Sequence, residues 1–468
     1  MSARTTCRVM PASVVFCIVV TLVAAVRYCP VAHGGETIVP ESSQDSQSNP
    51  AKEVQPPESG DNASNKDFVV IKYDNAGKRQ WLRRYDGPGR GDDWVTASAV
   101  DRKGNIYVTG ASWGGENVGY EYATIKYDAT GKCLWVRRHA GGIPKAIGLD
   151  ENRNVYVGGE GGIIKYSSAG KFQWELPGAE KWTVSKYGDV ITAHQSISYY
   201  ISIKYYNSDG NFQWSKTFEP YSYSWEFSLR GIHTDDYGNA YIKYYMYYHE
   251  DSCDSESLRM YDRNGVFMWD TDFYILGNNG FGFSYIQSLY IDDQLNVYVA
   301  GQYIYENESK VYPSIHKLDA NGELIWNIYH LNDNDAWTDA KCITLDIDGN
   351  IIVAGSRKNA TNSYDYATIK YNSNGEMLWS KRYKGNKWGG ATALSLDKKD
   401  NVFVTGTSDG GESVGERFAT IKYDAAGNEK WVQHHKNPTK KKREDIAVDL
   451  KVDKRRNVFV SGYSVVNH

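Results

Sequence analysis

Residue types that could do chemistry are present in this chain, but few stand at a spacing that chemistry requires. Of six cysteines, Cys7, Cys17 and Cys29 fall in the first 34 residues, and Cys133, Cys253 and Cys342 lie far apart. A structural zinc site needs closely spaced ligand pairs, so none is read here, and the three cysteines outside that first segment can form at most one disulfide among themselves. Ten histidines occur without an HExxH helix, and no serine sits in a GxSxG elbow. Turns such as Asp346-Ile347-Asp348-Gly349-Asn350 offer carboxylates as a calcium loop does. They lack the further acidic ligand of an EF-hand, and Asp, Asn and Gly are ordinary hairpin residues. No catalytic, cofactor-binding or metal-binding residue is therefore assigned.

Tryptophan is the informative residue. Eight of the fourteen (Trp81, Trp135, Trp174, Trp214, Trp269, Trp326, Trp379 and Trp431) recur at intervals of 54, 39, 40, 55, 57, 53 and 52 residues. Each closes one phrase: an apolar pair around a lysine, then a turn containing Gly, then Trp. IKYDNAGKRQW ends at Trp81 and IKYDATGKCLW at Trp135. A large flat ring at one position per repeat suits stacking, so these eight are read as structural wedges. The phrase's lysines, at 72, 126, 165, 204, 317, 370 and 422, are expected to pair with carboxylates of turns or neighbouring repeats. A charged channel is the alternative. Trp94, Trp113, Trp225, Trp337 and Trp388 lie between the phrases and are the candidate binding residues. Filling the junctions between repeats is their alternative role.

The elements that carry these residues follow from a second phrase. AVDRKGNIYVTG ends at Gly110, TLDIDGNIIVAG at Gly355 and SLDKKDNVFVTG at Gly406, and the eighth copy, VDKRRNVFVSG, ends at Gly462. Both phrases alternate in residue type around a Gly-containing turn, which reads as a β-hairpin. Two hairpins per period make four strands, A to D. Such a unit cannot bury both faces alone and must stack on its copies. Sheet twist turns the stack into a ring. The expected fold is all-β: one closed β-propeller over residues 67–468. The chain opens with C and D strands (Phe68 to Tyr85) and closes with A and B strands (Ile446 to Gly462), so first and last segments share a blade. Eight blades are expected. The 39- and 40-residue intervals leave seven as the alternative.

Ahead of the repeats, Arg4 and Arg8 precede an apolar run from Val9 to Val26, and Ala32 and Gly34 stand at signal-peptidase spacing. Residues 1–34 read as a signal peptide, an uncleaved anchor being the rival, and 35–66 as a disordered linker poor in large apolar residues. Net charge is -4, which gives no basic field for nucleic acid. The run Lys440 to Arg443 reads as a solvated loop.

Phrases such as YATIKYDATGKCLW and DRKGNIYVTG resemble the bacterial β-propeller repeat family sometimes called SBBP repeats. The C–D phrase also resembles the tryptophan-docking motif of eight-bladed quinoprotein-like propellers, notably at Asp128, Thr130, Gly131, Lys132 and Trp135. That motif opens with Ala, where this chain has Lys126 and its equivalents. The resemblance implies tryptophan rings wedged between blades and leaves activity open. A quinone dehydrogenase would also resemble its family in a vicinal Cys-Cys pair, and no two cysteines here are adjacent. The expectation is a periplasmic or secreted, monomeric, non-catalytic propeller, with no membrane span in the mature chain. It would engage an envelope protein or a glycan through the face that carries the D–A and B–C connections. A periplasmic enzyme with its site at the propeller axis is the alternative.

Overall fold

The computed structural model describes residues 64–196, 200–219, 224–248, 253–277, 280–305, 311–329, 337–358, 363–385, 389–410, 415–435 and 444–467. The described residues all fall in one compact unit, Asp61–His468. The residues read as signal and most of the linker lie outside the described residues, as do Lys440 to Arg443 and Trp388. No helix among the described residues is long and apolar enough to cross a membrane.

Each hairpin pair folds into a four-stranded antiparallel blade. In blade 1, strands A to D are Asp93–Val100, Ile106–Trp113, Tyr120–Tyr127 and Cys133–Ala140. Strands B and C are buried on both faces, because a neighbouring blade packs on each side, and only the ends of D stay exposed. Blade 2 runs from Pro144–Leu149 to Phe172–Leu176, blade 3 from Lys181–Val184 to Phe212–Phe218 and blade 4 from Ser224–Thr234 to Phe267–Gly277. Blade 5 runs from Gly280–Ile291 to Leu324–Tyr329, blade 6 from Trp337–Leu345 to Met377–Tyr383 and blade 7 from Gly389–Leu396 to Glu429–His435. Blades 4 and 5 form one continuous sheet, since the end of the blade 4 D strand pairs Tyr274 to Gly277 with Phe283 to Gly280.

Blade 8 closes the ring. Its A and B strands are Asp445–Val452 and Val458–Asn467, and its C and D strands are Ser64–Tyr73 and Arg79–Tyr85. Ser64 pairs with Asn467, and the register continues to Tyr73 opposite Val458. The first strand thus opens at Ser64, three residues before the boundary read from composition. Eight complete blades form, and the short intervals mark short blades, not a missing one. The ring is a β-propeller.

The joint between blades repeats eight times. Each docking tryptophan donates its indole N–H to a backbone carbonyl in the C–D turn of the next blade, at 2.9–3.3 Å. The last of these, Trp431 to Asn75, spans the two ends of the chain. The lysine beside it acts at the same carbonyl. Lys72, Lys126, Lys165 and Lys422 donate to Ala129, Ser168, Ser208 and Asn75. Their ammonium groups lie over Phe459, Tyr107, Tyr156 and Phe403 on strand B, and burial lowers all four pKa values. The expected carboxylate pairing is therefore corrected for these four: the partners are a carbonyl and a ring. Lys370, opposite Ile352 where the others meet an aromatic, does pair with Asp346 at 2.7 Å.

The A–B turns use their aspartates internally. In Asp101, one carboxylate oxygen accepts the amides of Lys103 and Asn105, and the other accepts the Asn105 side chain and the Tyr107 hydroxyl. Asp150, Asp235 and Asp292 repeat the pattern with Asn154 and Tyr156, Asn239 and Tyr241, and Asn296 and Tyr298. The Asp-rich turns are hairpin locks.

Candidate binding site

Strands A of successive blades lie against one another from blade 5 round through blade 8 to blade 4, which makes them the innermost strands. Between blades 4 and 5, Glu256 accepts the amide of Ile286 while Lys243 donates to its carbonyl. Arg230 approaches Glu256 to 3.8 Å. Burial raises the Glu256 pKa and lowers that of Lys243, and His233 nearby is pushed down to about 4 by burial and by Lys243. Clustered perturbed groups are what an axial enzyme site would show. Here Glu256 and Lys243 grip one backbone unit of the next blade, which makes the cluster an interblade clamp.

The loop face offers a different arrangement. Trp94 lies within strand A of blade 1 and Trp113 is the last residue of strand B, so both belong to strand ends where connecting loops were expected. A glycine makes room for the first: a side chain on Gly110 would reach within 2.0 Å of the Trp94 carbonyl. A bulge follows, at Thr96. Tyr120, the first residue of strand C, sits between the two indoles, its ring centroid 4.8 Å from Trp94 and 5.0 Å from Trp113 in edge-on contact. Such geometry aligns ring edges with ring faces and fixes all three. The connection from blade 8 folds over Trp113, and a side chain on Gly91 would lie 2.4 Å from the indole.

Polar groups brace the aromatics from behind. Asp93 accepts the amides of Gly87 and Trp113, and burial raises its pKa. Arg138 bonds to the Tyr85 hydroxyl, Ser112 and Glu121. Carboxylate oxygens of Asp67, Asp86 and Asp93 approach within 4.8 Å of one another, the arrangement nearest to a metal set among the described residues. Asp93 already accepts an amide on each of its carboxylate oxygens. Burial, with Asp92 and Asp93 nearby, raises the Tyr120 pKa.

What exposes the trio is the blade beside it. Trp94, Trp113 and Tyr120 share a face with Tyr122, whose hydroxyl accepts the amide of Gly161 in blade 2. Strands B and C of blade 2 are only five residues long, Val155–Gly159 and Gly162–Tyr166, against eight in blade 1. Tyr122 caps that short connection, and Tyr120 and Trp113 stand one tier beyond it. The result is a step, with half-buried aromatics as its wall. Gly159, Gly161 and the exposed Lys145–Glu160 pair lie on its floor.

The other candidates are not brought here. Trp225 lies in strand A of blade 4 and Trp337 opens strand A of blade 6. Tyr120 escaped the sequence reading because it is one of 37 tyrosines. Its position two residues ahead of Tyr122, which opens the YATIKY phrase, was the available signal.

No family model and no curated protein matches the chain. Among solved structures it is similar to "Structure of Dos1 propeller", with TM-score 0.49 and 11% identity over 80% of this chain and 92% of that one. A protein of unknown function from Bacteroides caccae gives TM-score 0.31 and 12% identity over 68% and 95%. The WD40 β-propeller domain of Doa1 gives 0.38 and 8% over 68% and 90%. At these scores the likenesses carry no argument. The strand order and the eightfold joint define the class, an eight-bladed β-propeller with an aromatic step on its loop face.

Proposed function

We propose that this chain is an exported, non-catalytic propeller that binds a cell-envelope partner, a protein or a glycan, through the loop face of blade 1. The observation that carries this reading is the braced trio of Trp94, Trp113 and Tyr120 beside a shortened blade. Rigid aromatics on a fixed scaffold stack on sugar rings or anchor a protein contact with little ordering cost. Export rests on Arg4, Arg8, the apolar run to Val26 and the small residues Ala32 and Gly34. The repeat phrases resemble those of the SBBP-type family.

Tyr120→Ala and Trp113→Ala should each weaken binding to an envelope extract, with a cost of about 2 kcal/mol or more if they anchor the contact. Lys103→Ala and Lys398→Ala, on the opposite face, should leave binding unchanged. Reduced melting temperature with unchanged binding per folded molecule would make the trio a plug and overturn the reading.

A further inference from the structure

Repetition makes the blades comparable position by position, and blade 7 departs from its neighbours at one tier of the loop face. In blade 1 this tier holds an internal ion pair. Arg138 on strand D donates to Glu121 on strand C at 2.7 Å, to Ser112 on strand B at 2.6 Å and to the Tyr85 hydroxyl of blade 8 at 2.8 Å. Asp93 on strand A, opposite Ser112, adds a second carboxylate. Blade 8 has Asp67, Arg84, Ser464 and Asp445 at the same places, and in blade 6 Arg382 donates to Asp365.

The register of blade 7 puts Gly389 where Asp93 stands, Arg417 where Glu121 stands and His434 where Arg138 stands. Ser408 and, from blade 6, Tyr383 keep the places of Ser112 and Tyr85. Both carboxylates are gone, and a cation occupies the acid's position. The acids next in sequence, Asp409 and Glu416, point to the other face of the blade, because side chains alternate along a strand. The remaining groups converge. The Tyr383 hydroxyl lies 3.3 Å from His434 Nε2 and close to Ser408 and Arg417. Burial and the Arg417 charge lower the His434 pKa. Ser408 is fully buried, and among the described residues neither its Oγ nor Arg417 Nε is in bonding geometry with a partner. Such groups are costly to leave unsatisfied. Arg417 is otherwise half-buried and His434 exposed, so the tier opens to solvent.

We propose that blade 7 takes from a ligand the carboxylate that blades 1, 6 and 8 supply themselves, binding it between Arg417 and Ser408 with His434 and Tyr383 beside it. The planar fork of an arginine matches the two oxygens of a carboxylate, and one guanidinium balances one negative charge. The site lies on the loop face but on another blade than the aromatic step, and it stands independently of that step.

Titration calorimetry of the purified protein tests this with three probes. Glucuronate and glucose differ at the carboxylate, and inorganic phosphate is the rival anion. Glucuronate should bind saturably and shift the His434 imidazole signals in NMR spectra, while glucose does neither and phosphate binds more weakly. Arg417→Glu with His434→Arg rebuilds the blade 1 pair inside blade 7. That double variant should melt no lower than wild type, yet bind glucuronate about tenfold more weakly or worse, because its own carboxylate fills the site. Arg417→Gln should show a similar loss, and it carries the test if the rebuilt pair does not fold. A wild-type chain that binds glucuronate no better than glucose, or an Arg417 variant that binds it like wild type, would overturn the proposal. Phosphate binding tighter than glucuronate would overturn the assignment to a carboxylate.

Discussion

The two kinds of turn treat glycine differently, and the reason is the neighbouring blade. All eight C–D turns hold glycine at positive φ, from Gly77 at 83° to Gly427 at 83°. The A–B turns also accept Arg153, Leu295, Asp400 and Arg456 in the left-handed region, at φ 57–66°. Around Gly349, in an A–B turn, nothing lies within 4 Å of where a Cβ would stand. On Gly131, a Cβ would meet the Trp81 indole at 2.8 Å, so that glycine is required by the wedge as well as by φ. Gly349→Ala should therefore cost only the backbone strain, of order 1 kcal/mol. Gly131→Ala should add about 1–3 kcal/mol of overpacking. Calorimetric melting of the two variants decides the matter, and equal losses would show that φ alone holds the C–D glycine.

At the scale of strands and hairpins, the docking tryptophan joins one blade to the next. Trp135 is buried, donates to Ser168 and lies against Gly170, so Trp135→Ala should cost about 3–5 kcal/mol. Denaturant titration with a near-native midpoint would refute the wedge. This joint was legible in the sequence because its parts, Gly and Trp, recur at fixed offset in every phrase. The blade count was less so: the 39- and 40-residue intervals arise because blades 2 and 3 lose length at the loop face, while IKYSSAGKFQW on the opposite face stays whole. The partners of Lys72, Lys126, Lys165 and Lys422 were misread because a backbone carbonyl leaves no trace in residue type. Trp94 and Trp113 were legible as candidates. Their meeting through Tyr120 was not, since it depends on the register of three strands and the shortness of a neighbour.

For the whole molecule, closure rests on the seam in blade 8, where ten residues of the first strand pair with ten of the last. Deleting Asp445 to His468 would strip the Ser64–Tyr73 strand of its partner and expose an edge that invites aggregation. Light scattering and melting should both register the loss. A deleted chain that stays monodisperse with unchanged melting would mean that the seam contributes nothing. The antiparallel register has a mechanical meaning as well. Because Ser64 lies opposite Asn467, tension applied through these two residues loads the seam at one end and breaks its backbone hydrogen bonds in succession. The other seven blades are each a continuous stretch of chain and lie outside that line of force until the seam has opened. The ring therefore yields like a zipper at one defined place, and everything its eight joints hold together is released in order from there.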